Sequence, residues 1–378
     1  MNARWSDSES EIEYLYREGE LICEERELES VLAALTRLDE PEPVGVRISA
    51  VGLAVINVGD RNAADLSDRL AEELGDEVAT PNHVLDAQGF SWMCPATEPM
   101  PWYGGVPELG EPVGKGHARI AVIDTGYSRD AARDAGYGRL LAVEASSEPD
   151  DEVFFEDGTI RPYGAHGTAT TARSLAVAGV DNVTVKVRDC LVGGAVDEIT
   201  IVEDLVTVIE AGVDIISIQA GLYTRLGHSP LAFNAFRRRV LSKYPDVVIV
   251  AAAGNNGSDQ PFWPAAYDWT TAVGALTKGG DARTGWTNFG YWVDVYASGE
   301  NVVVPFPNGT YEYLTGFSAE FTEGHALWSG TSFAAPVVAG LIARRMVERG
   351  ITAPQARDVV LAEAAIAALP NTGPRVIV

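Results

Sequence analysis

Four polar residues stand where short apolar runs end or where small-residue helices are expected to begin, and their types are those that acyl transfer needs. Asp124 closes the run IAVID and is followed by Thr and Gly. His166 opens HGTATTARSLAV, Asn255 follows VVIVAAAG, and Ser332 lies in SGTSFAAPVVAGLIARR. An imidazole can take the proton of a serine hydroxyl while a carboxylate orients the ring and stabilises the imidazolium. Taken singly, each has a plainer reading. An Asp or Asn at the end of a strand commonly caps a turn, and a lone His is commonly packed or exposed. The other histidines, His83, His117, His228 and His325, have no comparable small-residue setting before a helix. Ser332 is expected at a helix start, with Pro336 in the first turn, where a missing amide costs little. First-turn amides point to where negative charge develops on an attacked carbonyl, and the side-chain NH2 of Asn255 is a candidate second donor.

The elements that must position these residues follow from apolar patterning. From residue 118 onward, ARIAVID, VTVKVRDC, VDIISIQ and DVVIVAAAG are near-continuous apolar runs, with the helical DEITIVEDLVTVIEAG between them. Such runs suit strands of a parallel sheet covered on both faces, and open parallel sheets place ligands at the carboxyl ends of their strands. Residues 1 to about 86 read as a separate small α/β unit of plait-like order. EYLY, ELIC, VGVRISAVGLAVINV and EVATPNHVL suit strands, and RELESVLAALTRL and NAADLSDRLAEELG carry helical spacing. Repeated Pro and Gly between them, up to GEPVGKG, forbid long regular elements. The expected division is therefore a domain at 1–88, a linker at 89–115 and a second domain at 116–378.

Together the four pieces resemble the subtilase pattern: DTG with Asp124, HGT with His166, AAGN with Asn255 and GTSFAAP with Ser332. The chain order Asp, His, Ser is the subtilisin order, unlike that of chymotrypsin-like enzymes or α/β-hydrolases. The resemblance runs over about residues 116 to 365. It implies a subtilisin-like α/β fold, a doubly wound and mostly parallel sheet with helices on both faces, and a serine endopeptidase with Asp124, His166 and Ser332 as triad and Asn255 completing the oxyanion hole. It further implies that an extended peptide adds a strand between Gly194, Ala195, Val196 and Gln219, Ala220, Gly221, with Ala252, Ala253 and Gly254 walling the pocket for the side chain before the cleaved bond. Small side chains there let a peptide backbone approach closely. Two departures stand out. Ala169 and Thr170 follow HGT where the family often has a second His, outside the triad, and Gln219 replaces a smaller polar residue and is expected to narrow the pocket or alter preference. The first domain resembles the ferredoxin-like inhibitory propeptide of subtilases, which implies that its tail, His83 to Gln88, threads the cleft and is processed near Gln88 and Gly89.

Other classes fit less well. Ser332 is followed by Phe333 and Ala334, where a nucleophile elbow needs Gly two residues on, and no G-x-G-x-x-G opens a helix after a strand. A catalytically silent peptide-binding protein on the same fold would be marked by loss of a triad residue, and all four positions are filled. With 54 acidic against 28 basic residues and a formal charge of -26, the chain lacks the clustered cations that nucleic acid or anionic membranes demand. No window reaches the apolar length of a membrane span, and the acidic opening MNARWSDSESEIEYLYREGE has no signal-like stretch. Cys23, Cys94 and Cys190 are odd in number and scattered, which suits a reducing cytoplasm. EPDDEVFFEDG has no recognisable calcium-ligand spacing, so neither a metal nor a cofactor is expected. The expected partners are a peptide or protein substrate and the chain's own N-terminal domain as inhibitor.

Overall fold

The computed structural model describes residues 2–5, 12–38, 46–86, 97–105, 114, 116–136, 140, 143, 147–179 and 183–377. They divide into two compact units: Met1–Leu85 with Val196–Ala211 and Leu222–Pro245, and Asp86–Ala195 with Gly212–Gly221 and Asp246–Val378. The first unit is discontinuous because the helices Glu198–Glu210 and Leu231–Arg239 cluster with the N-terminal elements.

In the first unit, β1 (Asn2–Trp5), β2 (Ile12–Glu24), α1 (Leu28–Arg37), β3 (Val46–Ile48), β4 (Leu53–Asn57), α2 (Ala63–Leu74) and β5 (Ala79–Asp86) follow in turn. The pairs β3–β4, β4–β2 and β2–β5 are antiparallel, which with two intervening helices is the expected ferredoxin-like plait. EYLY and ELIC, read as two strands, form one. The charged stretch between them is a bulge, because Tyr16 pairs with His83 and Leu21 already pairs with Pro81. Gly19 allows it: its φ is +66°, and a Cβ there would lie 2.0 Å from the carbonyl oxygen of Gly59. Both helices bury one face, Val31, Ala34 and Leu35 on α1 and Leu66 and Leu70 on α2. The side chain of Asn62 caps α2 by accepting from the amides of Ala64 and Asp65. The end of β5 is fixed by polar contacts. The fully buried carboxylate of Glu198 accepts from Nδ1 of His83 at 2.5 Å and from the amide of Ala232 at 3.1 Å, and Nε2 of His83 accepts from the amide of Arg225. A buried carboxylate persists only when so partnered. The sheet also takes in β9 (Ala195–Asp197), next to β5.

The second unit is built on a six-stranded sheet. After β6 (Met100–Pro101) come β7 (Ala118–Asp124), β8 (Val183–Asp189), β10 (Ile215–Ile218), β11 (Val248–Ala252), β12 (Thr270–Leu276) and β13 (Val295–Ser298), in spatial order 13-12-11-10-7-8 and all parallel. The chain leaves β7 for β8 on one side and returns through β10 on the other. The order therefore reverses between β7 and β10, the place where such sheets bind ligands. Alternate residues of the strands, among them Ile120, Val122, Val185, Val250 and Val273, form one core with the helices His166–Ala178 and Thr331–Arg349. These two helices touch closely at Gly340, where a Cβ would lie 2.4 Å from the carbonyl oxygen of Ser174. Part of the expected linker is strand, since Met100 and Pro101 pair with Leu327 and Ala326 of the strand His325–Trp328. Pro336 is placed one turn later than expected. The helix begins at Thr331, so Pro336 is its sixth residue, and the amide that would donate to the carbonyl of Ser332 does not exist. Cys23 and Cys190 are buried, and burial pushes the Cys23 thiol up to about 12, far from a reactive thiolate. Cys94 lies outside the described residues.

Candidate active site

Asp124 ends β7 at the point where the strand order reverses, and it is fully buried. Its Oδ1 accepts from its neighbour's amide, Thr125 N, at 2.8 Å and lies 2.7 Å from Nδ1 of His166. Its Oδ2 accepts from the hydroxyl of Thr170 at 2.8 Å. Three donors to one buried carboxylate satisfy its oxygens and fix its plane. Because a carboxylate only accepts, Nδ1 of His166 carries the proton and Nε2 is left as the basic nitrogen. Thr170 is four residues after His166 on the same helix, so both side chains lie on one face.

The start of that helix is held by a neighbouring loop. Ala165 precedes it in the left-handed region with φ 65°, and no side chain of its own caps it. Instead Oδ2 of Asp150 accepts from the amide of Ala165 at 2.9 Å and from the hydroxyl of Thr125 at 3.1 Å, and that hydroxyl accepts from the amide of Gly167. One carboxylate thus ties the turn after Asp124 to the turn before His166. Burial above all pushes Asp150 up to about 6, against the pull of these hydrogen bonds. Burial likewise pushes Asp189 up to about 7, helped by the charges of Asp150, Asp151, Glu148 and Glu152. Gly167 is required by contact, since a Cβ there would lie 2.3 Å from the carbonyl oxygen of Gly126. The His166 ring is 2 % exposed, and its centroid stands 5.3 Å from that of Trp328 and 5.4 Å from that of Phe333.

Ser332 is the second residue of its helix, and its hydroxyl donates to the carbonyl of Gln219 at 3.2 Å. Among the described residues, Asn255 is held by its oxygen: Oδ1 accepts from the amide and from the hydroxyl of Thr331, each at 2.9 Å. That fixes the NH2 end in direction. Asn288 sets the loop around it, donating to the carbonyl of Ala253, bonding through its own amide to the carbonyl of Gly254, and accepting from the amides of Asn256 and Ser258.

Gln219, Ala220 and Gly221 continue β10, and Ala252, Ala253 and Gly254 close β11, so the two segments leave neighbouring parallel strands. The Gln219 side chain does not lie open: it is 1 % exposed and donates to Ser217 Oγ at 3.0 Å. Gly221 pairs antiparallel with Asp86, its amide and carbonyl both bonded to that residue at 3.1 and 2.8 Å. Gly194, with φ 84°, faces the ring of Tyr163, which a Cβ would meet at 2.7 Å. Ala195 follows it in the same unit, and Val196 groups with the first unit. Of the residues that the sequence reading missed, Thr170 was signalled by its helical spacing from His166 and Thr331 by adjacency to Ser332. Asp150, Asn288 and Trp328 carry no local signal, because only the fold brings them near.

A sequence profile described as "Subtilase family" matches residues 115–374. The chain is 43% identical over 96 residues to the "Thermophilic serine proteinase" of Bacillus sp. (strain AK1), a match covering 25% of this chain and a fifth (20%) of that protein. It is 30% identical over 260 residues to the "Intracellular serine protease" of Paenibacillus polymyxa, covering 63% of this chain and 71% of that one. Among solved structures, fervidolysin from Fervidobacterium pennivorans, a keratinolytic enzyme related to subtilisin, shares the fold with a TM-score of 0.61 at 15% identity, covering 99% of this chain and 61% of that chain.

Proposed function

The chain belongs to the subtilase family, as a subtilisin-like serine peptidase in class, and we propose that it hydrolyses peptide bonds through Asp124, His166 and Ser332, with Asn255 as oxyanion donor. The observation that carries this reading is the buried 2.7 Å contact between Asp124 and Nδ1 of His166. It sets the tautomer that a general base needs. In the reaction the Ser332 hydroxyl turns from the Gln219 carbonyl to Nε2 of His166 and attacks the scissile carbonyl as its proton passes to the ring. The Asn255 NH2 and the Ser332 amide hold the oxyanion, His166 returns the proton to the leaving amine, and water then releases the acyl group by the same steps. Loose hydroxyl geometry before substrate binds is usual for such sites.

The substrate on this reading is an extended peptide or protein segment pairing with Gly221 as Asp86 does, by strand addition along Gln219–Gly221 and Gly194–Val196. The rival, a peptide-binding protein without catalysis, is separated by a serine-directed fluorophosphonate probe. Labelling is expected on Ser332 and absent in Ser332→Ala, and no labelling under any activating condition would favour the binder. A relative named for an intracellular protease supports a cytoplasmic setting. Among the described residues, no helix is long and apolar enough to cross a membrane.

Latency belongs to the same proposal: residues 1–88 act as an inhibitor whose tail, His83 to Gln88, lies in the channel. The two backbone bonds between Asp86 and Gly221 support it. Ala87, Gln88 and Gly89 lie outside the described residues. A covalently attached tail acts at an effective concentration of about millimolar order, an advantage that cleavage removes. Purified wild-type chain is expected to convert slowly to a product beginning near Gly89, while Ser332→Ala stays whole. An active wild-type chain whose intact mass keeps Met1 joined to Val378 indefinitely would show that this domain is no self-cleaved propeptide.

A further inference from the structure

The space between the two segments read as channel and pocket wall holds an aromatic ring. A Cβ built on Gly221 would lie 2.1 Å from the Phe262 ring, and one built on Gly254 would lie 2.9 Å from the same ring. Gly221 continues one strand and Gly254 the next. Two glycines on separate segments therefore face one side chain, which stands where their own side chains would have met. Phe262 is 4 % exposed. Its loop is pinned on both sides: the amide of Ala266 donates to the carbonyl of Phe262 at 2.9 Å, the Trp292 indole donates to the carbonyl of Asp259 at 3.1 Å, and the amide of Ser258 donates to Asn288. These bonds hold the loop's backbone, and the ring itself is packed rather than open to solvent.

The register says which substrate residue meets it. A peptide paired with Gly221 as Asp86 is runs antiparallel to Gln219–Gly221. Two residues further on it stands opposite Gln219, whose carbonyl oxygen is 3.2 Å from Ser332 Oγ. On the peptidase reading, the residue there carries the carbonyl that Ser332 attacks, and the slot for its side chain is the one between the Gln219–Gly221 and Ala252–Gly254 segments. We propose that Phe262 fills this slot and restricts the residue before the cleaved bond to glycine, alanine or serine. The inference rests on the peptidase reading above. A larger side chain must displace a packed ring, and overfilling a packed site is costly. The substrates are thus extended segments with a small residue at the cut. A tail offering Gln88 at that point would be a slow substrate, which suits an inhibitor.

The test uses the full chain and peptidyl anilides of one upstream sequence, with Gly, Ala, Leu or Phe directly before the anilide. The wild-type protein is expected to favour Ala over Leu and Phe in kcat/KM by at least roughly tenfold, the low end of what even one misplaced methylene gives. Phe262→Ala is expected to raise kcat/KM on the Phe substrate at least about tenfold, with little gain on Ala, and Phe262→Leu, which keeps most of the volume, should fall between. Fluorophosphonate labelling of Ser332 reports that each variant retains its site. A wild-type chain that cleaves after Phe as well as after Ala overturns the proposal even if neither variant folds. So does a labelled Phe262→Ala with unchanged preference, and both results leave the peptidase reading standing. A wild-type chain that is neither labelled nor cleaves any peptide overturns the peptidase reading, and this inference with it.

Discussion

Ser332→Ala is expected to lower turnover about a million-fold, the loss that removing the nucleophile causes in subtilisin itself, while leaving the fold and peptide binding in place. The change deletes one oxygen whose described partner is the Gln219 carbonyl, and no apolar packing is lost. The neighbouring hydroxyl cannot stand in. Thr331 Oγ1 donates to Asn255 and accepts from the amide of Gly254, so both of its roles are taken within the site's own scaffold. His166 and Asp124 without a hydroxyl have nothing to activate except water, which is why losses within a triad are far from additive. Measured kcat on a peptide substrate decides it, with thermal unfolding as the control for folding. Hydrolysis by Ser332→Ala at a rate comparable to the wild type would remove Ser332 from the nucleophile's role.

The four candidate catalytic residues were legible because each sits at the end of an element whose pattern is strong. IAVID and VVIVAAAG are short apolar runs that suit buried strands, and a polar residue at or just past the end of such a run lies where an open parallel sheet binds its ligands. The plait of the first unit was legible for the same reason. What could not be read depends on long-range placement. Asp150 lies in an acidic stretch that looks like solvated charge, yet it is half-buried and clamps the turns on either side of the Asp124–His166 pair. Nothing in TNFG singles out Asn288, which orders the Asn255 loop from 33 positions away in the chain (288 minus 255). Phe262 reads as an ordinary loop aromatic until Gly221 and Gly254 are found to face it. The split of β2 into two strands failed because a charged stretch with Gly looks like a turn, and only pairing with β5 shows it to be a bulge. Pro336 was placed in the first turn because the sequence does not fix a helix start to within a few residues.

Asp124 is expected to tell two contributions apart. Asp124→Ala removes both the charge and the acceptor, and a loss of roughly 3 × 10^4 in kcat follows the subtilisin figure for its Asp. Where Asp→Asn presents its NH2 to the imidazole of a triad, the ring takes the wrong tautomer and turnover falls about ten-thousand-fold. The donors around Asp124 argue against that outcome here. Oδ1 faces two of them, the Thr125 amide at 2.8 Å and His166 Nδ1 at 2.7 Å, and an NH2 at that position would oppose an amide that cannot reverse. Among the described residues, Oδ2 faces only the Thr170 hydroxyl, which has a second acceptor in the carbonyl of Gly167 at 3.1 Å. In Asp124→Asn the hydroxyl can donate to that carbonyl and accept from the new NH2. The amide oxygen then stays on His166, the proton stays on Nδ1, and only the negative charge is lost. Asp124→Asn is therefore expected to keep at least about tenfold more kcat than Asp124→Ala, about 1.4 kcal/mol of retained transition-state stabilisation. An Asn variant no faster than the Ala variant would show that the ring does not keep its tautomer, and that the hydroxyl of Thr170 does not reverse.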